Sequence, residues 1–477
     1  MNIILIVCDT LRRDHLGCYG NDRISTPHID RFANRSVVFD RAYTASFPTV
    51  PHRHDVMTGR YTFIESEWGP LPRHEVVLAA ELGKAGYCSM MVLDQPHIVE
   101  NGYHYDRGFT GWEWIRGQET DRWQTAPAQP QMPCDPEMLR SPEEIVKLHQ
   151  RNIHWRRGEE DTFVARTMTA ACRWLERNWK QHSSFFLYVD TFDPHEPWDP
   201  PQWYVDMYDP GYQGQEVTYP RYAPASYLSP SELNHVRALY AAEVTLVDRW
   251  VGRLLERVED MGLLRDTLVV LTTDHGFCHG EHGLMGKALI SATGAEYVPL
   301  WEEIARIPLI VYYPGCQARR EQAIVQPVDF MPTFLEIAGA PGPATMHGRS
   351  FLPILRGQPA PWREFAVTSP TIIHGAAAGT RATITTAEWS FVCAGDPQIQ
   401  AAAQGRARPE TRAVDGLPKP EAKGQALPSE LYDLSADPHQ AHNIIDRQPA
   451  VAAELRARFV RFLEELGMES SLVAPWR

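Results

Sequence analysis

The sequence lacks what would mark a disulfide-built, zinc-held or membrane protein. Its eight cysteines (Cys8, Cys18, Cys88, Cys134, Cys172, Cys278, Cys316 and Cys393) are scattered over 477 residues, and none forms a C-x-x-C pair or a zinc-type cluster. That spacing predicts reduced, mostly buried thiols. No apolar run approaches a membrane span. The first run, Ile3–Val7, is also too short for the hydrophobic region of a secretion signal. No leader and no membrane partner are therefore expected, and the expected location is cytoplasmic. Positive charge is in deficit too, with 46 Lys and Arg against 60 Asp and Glu and a formal net charge of −14. This argues against a nucleic-acid partner. A small anionic substrate stays open, because a local basic pocket can sit on an acidic protein.

What is present reads as a two-part α/β chain. At 477 residues it exceeds one ordinary core. Short apolar runs at Ile3–Val7, Met90–Leu93, Phe185–Val189, Leu268–Thr272 and Leu309–Tyr313 read as strands and alternate with helical patterns. Ser229-Pro-Ser-Glu232 is a capping box with proline at the first helical position, followed by Leu239, Leu246, Val247, Trp250 and Leu254 at helical spacing. Such alternation implies a mostly parallel sheet covered on both faces, with function beyond the carboxyl ends of its strands. The alternation stops near Gly357, so we expect a catalytic domain over residues 1–360 and a smaller α+β domain over 361–477. The polar, proline-rich stretches Gln124–Pro136 and Tyr208–Pro230 are expected to wall a pocket, and Gln404–Pro428 to be flexible.

Three strands deliver polar residues at their ends: Asp9 after the first, Asp190 to His195 after the third, and Asp274-His275 after the fourth. Buried carboxylates without a cation or donors are costly, so convergence on one site is a better reading than three core positions. Asp9, Asp274 and His275 make an oxygen/nitrogen metal set. Thr49 heads FPTVPHRHDVMTGR, residues 47–60, where Pro51 is expected to begin a helix. Its hydroxyl either caps that helix or acts as a metal-activated nucleophile where helix N–H groups favour anions. Arg53, one turn on, is placed to hold that oxygen or the anion. Lys287 ends a glycine-rich run and suits a substrate or leaving-group oxygen. His279 and His282 stay ambiguous, at the surface or behind the site.

Taken together these segments resemble the sulfatase family of the alkaline phosphatase superfamily. The resemblance runs through CDTLRRDHLGCYG (8–20), PHRHDVMTG (51–59), DPHEPWDPP (193–201), TDHGFCHGEHGLMGK (273–287), RIPLIVYYPG (306–315), VDFMPTFLEIAG (328–339), HGRSFLPILRG (347–357) and ELYDLSADP (430–438). It implies a central mixed sheet flanked by helices, a smaller C-terminal domain and one divalent metal. Carried over by position, Asp9, Asp274, His275 and Thr49 match the metal ligands. Thr49 takes the nucleophile place, Arg53 supports it, and His195 and Lys287 match anion-binding and leaving-group residues. Gln95 and His97 fall where sulfatases often have Lys-x-His in the substrate site, and Gln95 departs from that pattern.

Thr49 stands where the family has the Cys or Ser that becomes formylglycine. Threonine is β-branched and cannot give that aldehyde. Asp9-Thr10 and Asp274-His275 also depart from the common Asp-Asp and Asp-Asn pairs. The Asp-His pair resembles that of phosphonate monoester hydrolases and phosphodiesterases, and a histidine ligand favours Mn, Zn or Fe over calcium. The expectation is therefore a phosphodiesterase or phosphonate monoester hydrolase acting on a small anionic ester through a phosphothreonine. The alternatives are a sulfatase working without formylglycine and a non-catalytic homologue. The sequence leaves room for a homo-oligomer.

Overall fold

The computed structural model describes the whole chain except residues 292–293, 359–361, 374–379, 397–398 and 400–426. The stretch expected to be flexible, Gln404–Pro428, lies almost wholly outside the described residues.

An eight-stranded sheet forms the centre. Its strands are β1 (Asn2–Cys8), β2 (Val37–Tyr43), β3 (Cys88–Leu93), β4 (Gly111–Trp114), β5 (Phe185–Thr191), β6 (Thr267–Thr272), β7 (Arg306–Tyr312) and β8 (Arg319–Val325). They lie in the order β8-β2-β7-β6-β1-β5-β3-β4. β7 pairs antiparallel with β2 and β6, and every other pairing is parallel, so β7 alone runs against the rest. The sheet is mixed and mostly parallel, as expected. All five expected strands are present within a few residues.

Alternation along β1 explains the two covered faces. Ile4 and Ile6 enter one apolar cluster with the Phe163–Asn178 and Pro230–Asp260 helices. Ile3, Leu5 and Val7 enter the other, with residues of the Thr49–Thr58 and Phe330–Ala338 helices. The Pro230–Asp260 helix starts at the expected capping box. Glu232 N–H donates to Ser229 Oγ at 3.3 Å, and Ser229 N–H donates to Glu232 Oε2 at 2.7 Å.

A second, antiparallel sheet follows, with β9 (Ala366–Thr368), β10 (Arg381–Thr385), β11 (Trp389–Ala394) and β12 (Glu430–Asp433) in sequential order. Ile384, Phe391 and Leu431 pack there with Leu455 and Phe459 of the Pro449–Glu465 helix. This small domain also reaches back to the main one. Phe47 N–H donates to Ser369 O, and Ser369 N–H donates to Ala45 O, both at 2.9 Å, so it braces the chain just ahead of Thr49. All eight cysteines are free thiols. Among the described residues no helix is long and apolar enough to cross a membrane.

Candidate active site

Parallel strands in register end together, which is why distant carboxylates meet. Val7 of β1 lies opposite both Asp190 of β5 and Thr272 of β6, and Leu93 of β3 lies opposite Asp190. Asp9, Asp94, Asp190 and Asp274 therefore crowd one edge of the sheet, each fully buried.

Arg53 sits among them. Its Nε donates to Asp190 Oδ2 at 3.0 Å and Nη2 to Asp190 Oδ1 at 2.7 Å, a two-pronged pair. Nη1 lies 3.1 Å from Asp9 Oδ2 and also donates to Asp274 Oδ2. Burial opposes the arginine charge, but Asp190, Asp274 and Asp9 outweigh it and raise its pKa well above the usual value. Arg53 thus binds the carboxylates that carry the metal-ligand pattern.

One candidate ligand atom from each of Asp9, Asp274 and His275 lies within 4.8 Å of the others, and all three residues are buried. His275 Nδ1–H donates to the Gly276 carbonyl at 3.0 Å, which leaves Nε2 with its lone pair facing the site. Burial pulls its pKa down to about 3, so the ring is neutral, the form that binds metal. Burial, and then the neighbouring Asp274, push the Asp9 carboxyl well up. A divalent cation would relieve that repulsion, so the donor set fits one. Gly276 makes this turn feasible. A Cβ there would sit 1.9 Å from the Glu303 carbonyl oxygen.

Thr49 is the first residue of its helix, and Pro48 occupies the capping position. The capping reading is thus corrected, and the helix begins two residues before Pro51. The Thr49 hydroxyl instead faces His275 Nε2 at 3.4 Å. Its carbonyl accepts from Arg53 Nη1 at 3.2 Å. Lys287 Nζ lies 3.0 Å from His195 Nε2 and 3.2 Å from His275 Nε2, so it bridges the two imidazoles. Burial lowers the lysine pKa. Burial and then Lys287 hold His195 well below its usual range, and its Nδ1–H donates to the Glu196 carbonyl at 2.6 Å.

The structure brings all nine sequence-derived residues to one region but uses some differently. Gln95 Nε2 donates to Asp9 Oδ2 at 2.9 Å, while its Oε1 accepts from His97 N–H at 3.0 Å. Its amide therefore orients a candidate metal ligand. His97 Nε2 lies 2.7 Å from Glu119 Oε2. His279 is buried against the Tyr240 ring, 4.2 Å between centroids, and is not a surface residue. The Tyr208–Pro230 segment reaches Glu119 and Glu196, next to His97 and His195, through the Tyr219 and Tyr222 hydroxyls. The longer-range hydrogen bonds of Gln124–Pro136 run to Asn152, Arg151 and Gln215, none of them a candidate site residue.

Two partners escaped sequence reasoning. Thr10 has φ +59°, unfavourable for a β-branched residue. That turn lets its N–H donate to Asp274 Oδ1 at 2.9 Å and its hydroxyl to Asp9 Oδ1 at 2.8 Å. Glu119, also at positive φ, is recruited to His97 from outside any motif. Thr10 reads in the sequence only as a departure beside Asp9, and Glu119 leaves no local signal.

A family model described as Sulfatase matches residues 1–340. An arylsulfatase of Clostridium perfringens is 25% identical over 416 residues, covering 78% of this chain and 81% of its own. An N-acetylglucosamine-6-O-sulfatase of Bacteroides thetaiotaomicron is 26% identical over 431 residues, covering 76% and 73%. Among solved structures, the phosphonate monoester hydrolase of Agrobacterium radiobacter superimposes with a TM-score of 0.71 at 18% identity, over 98% of this chain and 96% of that one. At that identity the likeness speaks for the fold, the alkaline-phosphatase-like arrangement expected from the sequence.

Proposed function

The chain belongs to the sulfatase family, and on that premise we propose that it is a metal-dependent hydrolase of singly charged ester anions, sulfate esters first. The observation that carries this reading is the meeting of the Thr49 hydroxyl, Lys287 and the Asp9–Asp274–His275 donors in one buried cluster. Arg53 and Lys287 stand against the carboxylates of Asp9, Asp190 and Asp274. With a divalent ion bound, the set carries one net positive charge, which suits a monoanion. Sulfate monoesters and phosphate diesters both meet that description.

The order between them comes from the relatives, whose printed names are sulfatases. Phosphate diesters and phosphonate monoesters stand second, and one observation favours them: Thr49 cannot supply formylglycine. The expectation drawn from the residues put phosphorus first; the relatives reverse that order.

A divalent ion held by Asp9, Asp274 and His275 would supply Lewis acidity, easing ionisation of a nearby hydroxyl and neutralising ester charge. The one histidine among oxygen donors favours Mn, Zn or Fe. Thr49 Oγ gives up its proton to water, attacks the central atom in line and forms a covalent threonine ester as the alcohol departs. Lys287 gives a proton to the departing oxygen, and His195, whose Nε2 lies 3.0 Å from Lys287 Nζ, orients that amine. Gln95 and Thr10 keep Asp9 oriented, and Arg53, bound to both, offsets the repulsion between Asp9 and Asp274. Water then cleaves the threonine ester and restores the hydroxyl.

The test is turnover of 4-nitrophenyl sulfate, bis(4-nitrophenyl) phosphate and 4-nitrophenyl phenylphosphonate by metal-defined enzyme, with mass spectrometry of the Thr49 peptide. A kcat/KM preference for the sulfate above about tenfold, roughly 1.4 kcal/mol, supports the first class. The same preference for a phosphorus ester reverses the order. No turnover of any ester and no adduct on Thr49 overturns the hydrolase reading.

A further inference from the structure

Behind the two site histidines lies a hydrogen-bond network that the reaction as described does not use. His97 Nε2 meets Glu119 Oε2 at 2.7 Å, and Glu119 Oε1 accepts from the Tyr219 hydroxyl. Arg140 Nη2 donates to that same hydroxyl and to Glu196 Oε1 at 2.9 Å. The Tyr222 hydroxyl also donates to Glu196 Oε1, while the Glu196 carbonyl receives His195 Nδ1–H. The chain of contacts thus begins at one imidazole of the site and ends at the other. Its members come from five separate segments, so no local turn explains it.

Arg140 is the hub. Its guanidinium lies 4.2 Å from the centroids of both the Tyr219 and Tyr222 rings, and its side chain is 12% exposed. A planar cation held by two rings and two carboxylates has one orientation, which a flexible lysine could not reproduce. Burial raises the Glu119 carboxyl, but His97, His195 and Arg140 outweigh it and hold it as a carboxylate. Glu119 and Glu196 are themselves buried and out of reach of a substrate. At one end His195 Nε2 reaches Lys287 Nζ at 3.0 Å, and at the other the His97 backbone N–H donates to Gln95, the residue that bonds Asp9.

We propose that Arg140 is a positioning residue for the anion site: clamped by Tyr219 and Tyr222, it ties the Tyr208–Pro230 segment to Glu119 and Glu196 and thereby fixes the rings of His97 and His195. The proposal rests on the hydrolase reading above for its kinetic consequence. Its structural content stands apart from that reading.

Two measurements separate the two. Arg140→Met, Arg140→Lys and Tyr219→Phe are compared with the parent chain on whichever nitrophenyl ester it turns over. Loss of ring alignment is expected to lower kcat for Arg140→Met on the order of 100-fold, with KM nearly unchanged. Arg140→Lys is expected to stay impaired, because it keeps the charge without the fork, and Tyr219→Phe to show a smaller loss. In parallel, zinc-loaded protein labelled with 15N-histidine is compared by NMR, with His97 and His195 assigned from His97→Asn and His195→Asn. Ring signals of both residues are expected to move in Arg140→Met and in Tyr219→Phe, while those of His347, which accepts from Tyr61 N–H and touches no member of the network, stay put. Full rescue by Arg140→Lys, or unmoved His97 and His195 signals in folded Arg140→Met or Tyr219→Phe, overturns the proposal. If the parent chain turns over no ester, the hydrolase reading falls, and the NMR comparison alone decides the positioning role.

Discussion

The carboxyl edge of the large sheet and the four-stranded C-terminal sheet are built on opposite principles. At the first, Asp9, Arg53, Asp190 and Asp274 are fully buried and bound to one another. At the second, the interior is Ile384, Phe391, Leu431 and Phe459. The difference follows from strand direction. Parallel strands end on one side, so their terminal residues accumulate there. Antiparallel neighbours end on alternate sides, so the small sheet gathers no such cluster and contributes apolar burial. It serves the site indirectly, by bracing Ala45 and Phe47 through Ser369.

Four substitutions test that division, the largest expected effect first. Thr49→Ala should lower kcat by on the order of 10⁴-fold, as removal of a nucleophile does, with little change in melting temperature. A loss below tenfold would mean that Thr49 does not attack. Arg53→Met should cost about 3–5 kcal/mol in metal-free protein, since it strands three buried carboxylates. Part of that loss should return with zinc, measured by urea unfolding. An equal loss with and without zinc would show that Asp9 and Asp274 do not hold the ion.

Phe459→Ala should cost about 3–4 kcal/mol through its cavity, yet leave kcat per folded molecule close to wild type. A large kcat loss there would break the comparison, because the small domain would then be doing more than bracing. The smallest effect concerns pH. His235 has Asp209 Oδ2 at 2.9 Å from Nδ1 and Glu216 Oε2 at 3.1 Å from Nε2, with Tyr212 stacked on it. Burial lowers its pKa, but the Glu216 and Asp209 hydrogen bonds outweigh this and leave it raised. Its folded pKa exceeds the unfolded one, so its contribution is complete below about pH 6.5 and is lost as pH rises through the raised value. His235→Gln should flatten that slope in melting temperature above pH 6.5, and an unchanged slope would place its cause elsewhere.

Much of the site was legible because its residues sit at strand ends or helix starts, which periodicity locates. Asp9, Asp274 and His275 follow apolar runs, and Lys287 follows a glycine-rich turn. Thr49 and Arg53 share one helical turn, so their proximity could be read directly, although capping, the other role open to Thr49, falls one position earlier, on Pro48. The partners of these residues were harder to read. Arg53 bonds Asp190, 137 residues away, and Gln95 bonds Asp9 across two strands. Arg140 and Glu119 lie in irregular segments without periodicity, and the sequence offers no reason for them to meet.

The sequence by itself determined the alternating architecture, the convergence of acids beyond the strands and the absence of a formylglycine precursor at position 49. Those depend on local pattern and on side-chain chemistry, which the order of residues states outright. Tertiary structure alone decided that Arg53 binds three carboxylates at once, that Gln95 turns toward Asp9, and that Arg140 links His97 to His195. Each depends on strand register and on the path of long loops, and buried charges are tolerated only where the completed fold brings a partner to each of them.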